Sequence, residues 1–355
     1  MDKRPVRLQW LEQKLAAYYP DPEPEAIALV TALVAGRPDD AALAASESPY
    51  NNPFTLDDLM VFDSDTLTSM LRCGAFGLHA HDYAAGLYGG PVWVIERLAR
   101  SMPMGMRVAF REELAALHRV DPQARRRVLD AFFWDLIYWH CPGWCEDLTC
   151  GELPVPGLFA RAAPDIRGRT VLEIGAGTGR ATLACLEQNP RHIYAVEPAP
   201  PMRHMLQRKL RERGMRDRVT VLPGRFDAVP LPDSFVDVVF AYSAFTSDPA
   251  HGGKPGFDEM QRVTRSGGAM LIFWPPLLEY QWLADLGFEY IPTPMDHEPY
   301  IHFGSLACAL RCARRFYANN VALQRYLQET QRPDIPFWLA GFAPPHDYCR
   351  LVVHK

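Results

Sequence analysis

Two apolar rhythms divide the chain. Over roughly the first 150 residues, apolar side chains recur three and four apart: Leu8, Leu11 and Leu15, then Ile27, Val30 and Leu33, and later Val128, Phe132, Leu136 and Trp139. Positions so spaced share one face of a helix, so each set predicts an amphipathic helix, the last over about residues 122–140. Pro38, residues 48–53, and Gly74, Gly77, Gly86, Gly89 and Gly90 punctuate the pattern, and Thr55 ahead of Asp57, Asp58 and Leu59 reads as a helix start. Beyond residue 150 the rhythm changes to short apolar runs. Residues 170–174, 192–196, 269–274 and 349–353 read as strands separated by helical stretches, which predicts an α/β fold. Either Gly287-Phe288 or Gly341-Phe342, each after a short helical phrase, can open a final hairpin. We expect an all-helical cap over residues 1–150 and an α/β domain over 151–355. An insertion at about 293–337, with one helix from about 306 to 327, is expected to join the cap over the pocket.

Length and composition agree with this division. The 355 residues exceed one typical domain, and 48% hydrophobic residues suffice for a self-supporting core. Net charge is −5, so no global attraction to nucleic acid is expected. Basic runs at Arg125-Arg126-Arg127 and over 203–218 are local, and the second falls on a helix whose outer face is normally solvated. The N-terminal residues lack the apolar core of a signal peptide, and no apolar run reaches the length of a membrane span. A cytoplasmic protein is therefore expected, with no membrane partner and its eight cysteines as reduced thiols.

The chemistry concentrates in Val171-Leu172-Glu173-Ile174-Gly175-Ala176-Gly177-Thr178-Gly179-Arg180. Here a buried strand stops at a glycine-rich turn and enters a helix, and glycine lets the backbone turn tightly and a ligand approach it. The next strand ends at Glu197, followed by Pro198, and a carboxylate at that tip can accept from a ribose diol. NAD-binding proteins share this logic, but their loop is G-x-G-x-x-G, whereas this one is G-x-G-x-G.

Four landmarks stand in order: the glycine loop, Glu197-Pro198-Ala199-Pro200-Pro201-Met202, the run over 229–239, and Glu259-Met260-Gln261-Arg262-Val263-Thr264-Arg265-Ser266-Gly267-Gly268. With them, residues from about 168 to 292 resemble a class I S-adenosylmethionine (SAM) dependent methyltransferase domain of the small-molecule type. The resemblance implies a Rossmann-like seven-stranded sheet, SAM as cofactor and a small-molecule methyl acceptor. It implies that Gly175, Ala176, Gly177 and Gly179 lie against the methionyl and ribose part of SAM, with Glu173 near the methionine amino group. Glu197, beside Pro198, would take both ribose hydroxyls. Relatives often carry an acidic residue directly after the glycine that follows the third strand. Here Arg225 and Phe226 follow Gly224, so either Asp227 takes the adenine or Phe226 stacks on it. Tyr242, Ser243 and Phe245, leaving the fourth strand, would face the reactive methyl. The same fold can also transfer or cyclise the aminobutyryl chain of SAM, or serve as a scaffold without chemistry.

Three features of the cap remain. Aromatic residues crowd Phe132 to Trp144; Tyr138, Trp139 and Trp144, next to the connection into the α/β domain, are the substrate-site candidates, although packing accounts for most such rings. Cys141, Cys145 and Cys150, with Cys308 and Cys312, lack the paired spacing of a zinc ribbon, and no metal is expected. His79 and His81 flank an alanine ahead of Asp82; with Tyr242 they are the candidates for a general base, and ordinary surface histidines are the alternative. The oligomeric state is left open.

Overall fold

The computed structural model describes residues 5–35, 50–73 and 78–355. Pro38, the start of the 48–53 break, Gly74 and Gly77 lie outside the described residues. The α/β part contains β1 (Thr170–Ile174), β2 (His192–Val196), β3 (Val219–Leu222), β4 (Val236–Tyr242), β5 (Thr264–Phe273), β6 (Glu289–Pro292) and, at its end, β9 (Asp347–Val352). Between β6 and β9, β7 (Tyr300–His302) and β8 (Asp334–Pro336) pair separately. The main sheet runs β3-β2-β1-β4-β5-β9-β6, with β9 antiparallel to both neighbours and β1 to β5 mutually parallel. This is the seven-stranded Rossmann-like sheet expected. The fifth strand starts earlier than its apolar run, because Thr264 pairs with Val236 before a bulge. Both glycine-phenylalanine phrases are used: one leads into β6 and the other precedes β9, and these two strands form the hairpin.

All five residues of β1 are buried, as a strand covered on both faces requires. Alternation along the strands feeds two cores. Val171, Val238, Phe240 and Tyr242 point to one face; Leu172, Ile174, Val239 and Ala241 point to the other. The cap helices cover the first face. Helix Val6–Ala16 instead serves the second, where Trp10 stacks on Tyr290 at 5.1 Å and meets Tyr280 edge-on at 5.5 Å. Ala26 and Val30 of helix Pro24–Ala35 join the same core. The expected undivided cap over 1–150 is thus split: its first two helices belong to the back of the sheet. Amphipathicity shows that a helix buries a face but not which surface covers it.

Two expected helices are shorter than their apolar patterns. Asp121 caps helix Pro122–Asp135, accepting from the N–H groups of Gln123 and Ala124, but Leu136–His140 continues as a π-turn. Such wide turns recur at functional sites, and this one carries Tyr138 to the cavity wall. The helix expected over 306–327 is two, Leu306–Phe316 and Val321–Thr330, because the Asn320 side chain accepts from the N–H of Leu323 and starts a new helix. Phe316, on the first of these, stacks on Trp134 at 6.5 Å, which ties the insertion to the cap.

Candidate active site

A cavity of about 970 Å³ opens along the carboxyl ends of β1 to β5, roofed by the cap. Ligands of open α/β sheets sit at this edge, where the strand order reverses between β1 and β4. The cofactor-site residues expected from the sequence line it, with the exception of Gly179: Glu173, Gly175, Ala176 and Gly177 from β1 and the loop after it, Glu197 and Pro198 after β2, Arg225, Phe226 and Asp227 after β3, and Tyr242 from β4. Gly179 itself sits behind the wall. At φ 91° it turns the chain into helix Arg180–Leu186, and a Cβ there would lie 2.2 Å from Leu206 Cδ1.

Gly177 has φ 52° and nothing within 4 Å of the place a Cβ would occupy. Its N–H donates to Glu197 Oε2 at 2.9 Å, and the N–H of Ala199 donates to Oε1 at 2.9 Å. Glu197 is only 7% exposed, and burial raises its carboxyl pKa while the two N–H donors lower it. Each oxygen thus holds one backbone donor and keeps acceptor capacity for a ribose hydroxyl. Beside it, Glu173 accepts from the Thr182 hydroxyl. Burial, with the Glu197 charge adding to it, pushes the Glu173 carboxyl up to about 8. An open glycine turn beside a buried two-oxygen acceptor fits a nucleoside-bearing cofactor.

At the far end of this wall the Phe226 ring lies over Gly175, 3.1 Å from the position of a Cβ, and packs 5.6 Å from Phe245. Asp227 is held by Arg225 through Nε at 2.8 Å and through Nη2. The Arg225 hydrogen bond keeps its carboxyl below the usual range, and the nearby His79 contributes. Phe226 offers a ring face and Asp227 an ion-paired carboxylate, so the adenine alternatives remain two neighbouring side chains on one wall.

The acceptor-side residues separate. Tyr138 and Ser243 line the cavity. Ser243 has φ 52° and Trp274, at the end of β5, φ 48°; both residues are held in the left-handed region at the site, as backbone under functional constraint often is. Phe245 does not line the cavity: it is fully buried between Phe226 and Trp282. Trp139 and Trp144 do not line it either; Trp144 lies under the Arg315 guanidinium at 4.3 Å. His79 and His81 are exposed and outside the lining. The Asp82 carboxylate accepts from the backbone N–H of His79 at 3.0 Å and lies 3.4 Å from His81 Nε2, so the motif caps helix Ala80–Leu87. Cys141, Cys145, Cys150, Cys308 and Cys312 are free thiols, and the described residues hold no group of three or more side chains fit for a metal.

Other lining residues carry no local sequence signal. Arg180 Nη1 bonds the Glu152 carboxylate at 2.8 Å and its carbonyl at 2.9 Å, and Tyr50 donates to the same carboxylate at 3.3 Å. The guanidinium lies 4.7 Å over the Tyr242 ring and 5.9 Å from that of Trp274. The cap is also pinned to the glycine loop: Thr178 Oγ1 and Lys209 Nζ both donate to Glu146 Oε2, each at 2.6 Å.

The sequence profile described as a methyltransferase domain matches residues 171–268, from β1 into β5. This part of the chain matches a methyltransferase domain, and S-adenosylmethionine is the cofactor that the match implies. A stretch of 121 residues is 33% identical to an uncharacterized methyltransferase of Mycobacterium bovis, covering 34% of this chain and 45% of that protein. Another, of 78 residues, is 40% identical to an uncharacterized methyltransferase of a Geobacillus species, covering 22% and 34%. A third, of 76 residues, is 37% identical to protein arginine N-methyltransferase 1.1 of Arabidopsis thaliana, covering 21% and 19%. The matched stretches thus span less than half the length of these relatives.

Proposed function

We propose that the protein is a SAM-dependent methyltransferase whose acceptor is a small molecule held between the cap and the sheet edge. The observation that carries this reading is the shape of the cavity. Its lining joins the glycine loop and Glu197 to the rings of Tyr50, Trp134, Tyr138, Trp274 and Phe342. Pockets of about 300–1,000 Å³ enclose a drug-sized ligand, so about 970 Å³ has room for a cofactor and a compact acceptor together. A peptide acceptor, as the name of the Arabidopsis relative implies for that protein, would need a longer open groove.

The bound cofactor supplies a methyl group already activated by a positive sulfur. The chain's task is then to align the acceptor and to keep water out, and alignment alone can contribute several kcal/mol, on the order of 7–11 at best. Of the base candidates read from the sequence only Tyr242 lines the cavity, and His251, 4.0 Å from Asp248, lines it too. Burial keeps the Tyr242 hydroxyl protonated at neutral pH despite the Arg180 charge, Glu152 is paired with Arg180, and His79 and His81 lie outside the lining. No helix among the described residues is long and apolar enough to cross a membrane. With free thiols at the seven described cysteines, a cytoplasmic setting is part of the proposal.

The test is calorimetric titration of the full chain with SAM, followed by an acceptor screen that identifies the by-product. Micromolar binding and release of S-adenosylhomocysteine are expected. Methylthioadenosine in its place would replace the reading with aminobutyryl transfer, and absence of SAM binding would overturn it.

A further inference from the structure

We propose that the acceptor is a neutral, planar aromatic molecule with a hydrogen-bond-accepting oxygen, held against an arc of six rings inside the cavity; the proposal rests on the small-molecule reading above and names its substrate class. The arc is continuous. Between ring centroids, Tyr242 meets Trp274 at 6.0 Å, Trp274 meets Phe342 at 6.1 Å and Phe342 meets Tyr50 at 5.4 Å. Tyr50 then meets Trp134 at 5.2 Å, and Trp134 stacks on Tyr138 at 5.9 Å. All six line the cavity.

These rings come from the ends of β4 and β5, the approach to β9, the cap segment at residue 50, helix Pro122–Asp135 and the π-turn. Five distant parts of the chain thus converge on one surface. Rings that serve only packing are covered on all sides, whereas Tyr50, Trp134, Tyr138 and Phe342 remain partly open. Both ends of the arc lie beside the cofactor loop. Tyr242 sits under the guanidinium of Arg180, the residue after Gly179. Burial raises the Tyr138 pKa, and the charge of Glu197 is among those that add to it. Flat rings stack on such a surface with offset or edge contacts.

Charge narrows the ligand further. The Arg180 guanidinium already lies 4.7 Å over the Tyr242 ring and 5.9 Å from that of Trp274. Faces that attract a cation are therefore taken there, and a second positive charge would be repelled. Glu152, 2.8 Å from Arg180, balances that charge, so no surplus draws an anion. A neutral ligand is left. The Tyr242 hydroxyl supplies the one polar requirement: it is buried and has no hydrogen-bond partner among the described residues. Most buried hydroxyls are partnered, so an orphan on a cavity wall calls for a ligand atom. Burial keeps this hydroxyl protonated, so it donates, and the ligand atom it faces is an acceptor.

The test is equilibrium dialysis of the full chain at neutral pH, with and without S-adenosylhomocysteine. The probes are naphthol (flat, neutral, one oxygen), decalol (the same oxygen on a puckered saturated frame), naphthoate (a flat anion), trimethylnaphthylammonium (a flat cation) and naphthalene (no oxygen). Naphthol is expected to bind about ten-fold or more tightly than decalol, naphthoate and the ammonium probe. Tyr242→Phe keeps the ring and removes one oxygen; it should weaken naphthol several-fold and leave naphthalene unchanged. Trp134→Leu breaks the arc at its middle and should weaken both. Ratios between probes on one protein are independent of any fraction that fails to fold. Tightest binding of the anion or the cation, equal binding of decalol, or no binding of naphthol overturns the inference. An unchanged naphthol-to-naphthalene ratio in Tyr242→Phe overturns the placement of the oxygen. Binding of S-adenosylhomocysteine without naphthol sinks this inference alone, whereas the expected naphthol preferences without binding of S-adenosylhomocysteine or SAM count against the methyltransferase reading and leave the aromatic site standing.

Discussion

Lys14 Nζ stands 3.0 Å from Asp347 Oδ2, and both side chains are almost wholly excluded from solvent. The pair joins the first helix to the last strand, and the network extends to the hydroxyls of Tyr280 and Tyr290, which donate to the same oxygen at 2.6 and 2.9 Å. Lys14 also donates to the carbonyl of Pro344 at 3.0 Å. Burial lowers the lysine pKa while Asp347 raises it, so the pair survives because each charge has its partner. Removing one leaves the other uncompensated in the core, which costs about 3–5 kcal/mol. Lys14→Met is therefore expected to lower the midpoint of urea unfolding substantially, and Lys14→Met with Asp347→Asn to recover much of the loss. A double variant no better than the single would show that the ion pair is not the source.

Glu197 is the most direct probe of the cofactor site. Alanine removes the acceptor expected for both ribose hydroxyls and frees the N–H groups of Gly177 and Ala199. SAM affinity is expected to fall by roughly 1–3 kcal/mol, the range for hydrogen bonds to a charged group. Calorimetry decides it: unchanged affinity would remove Glu197 from the site.

Gly179→Ala tests the loop without touching the cavity surface. The φ of 91° strains any side chain, and the new methyl would collide with Leu206 of helix Pro200–Glu212. Gly177→Ala adds a methyl at positive φ but into open space. The two should part: thermal stability falls chiefly in Gly179→Ala, whereas Gly177→Ala loses SAM binding with a smaller change in melting temperature. Equal stability losses would mean that collision with Leu206 is relieved by a shift of that leucine.

The glycine loop and Glu197 were legible because their chemistry is local: a strand, a turn that needs glycine, and an acid at the next strand's tip. Arg180 was legible only as a letter after Gly179. Its role depends on Glu152 from the cap connection and on rings at the ends of β4 and β5, all brought together by tertiary structure. Lys14 is the same case in reverse, since a lysine in an amphipathic helix reads as surface until Asp347 arrives from the far end of the chain. His79 and His81 are a different case. Paired histidines beside an aspartate suggest chemistry, but Asp82 is satisfied by capping its own helix. Aromatic crowding identified the right turn of the cap and not which rings face inward; the π-turn that carries Tyr138 to the wall has no marker in the residue pattern.

The last prediction concerns Glu173 and pH. Its carboxyl is held at about 8 in the folded protein against an ordinary 4.5, because burial disfavours the charge and the Glu197 carboxylate adds repulsion. Between these values the folded chain keeps a proton that the unfolded chain releases. The unfolded state binds fewer protons there, so this contribution to stability is fully present below about pH 4.5 and declines as pH rises, levelling off above about 8. Glu173→Gln removes the titration while its amide oxygen still accepts from Thr182. The variant is thus expected to match the wild type near pH 4.5 and to exceed it by on the order of 2–4 kcal/mol near pH 9. Urea unfolding of both proteins at matched pH values reads the difference, in which all other titrations cancel. A gap that stays constant with pH would mean that Glu173 is ionised in the folded protein, and a gap of opposite sign that its charge is stabilised by a partner in the cavity.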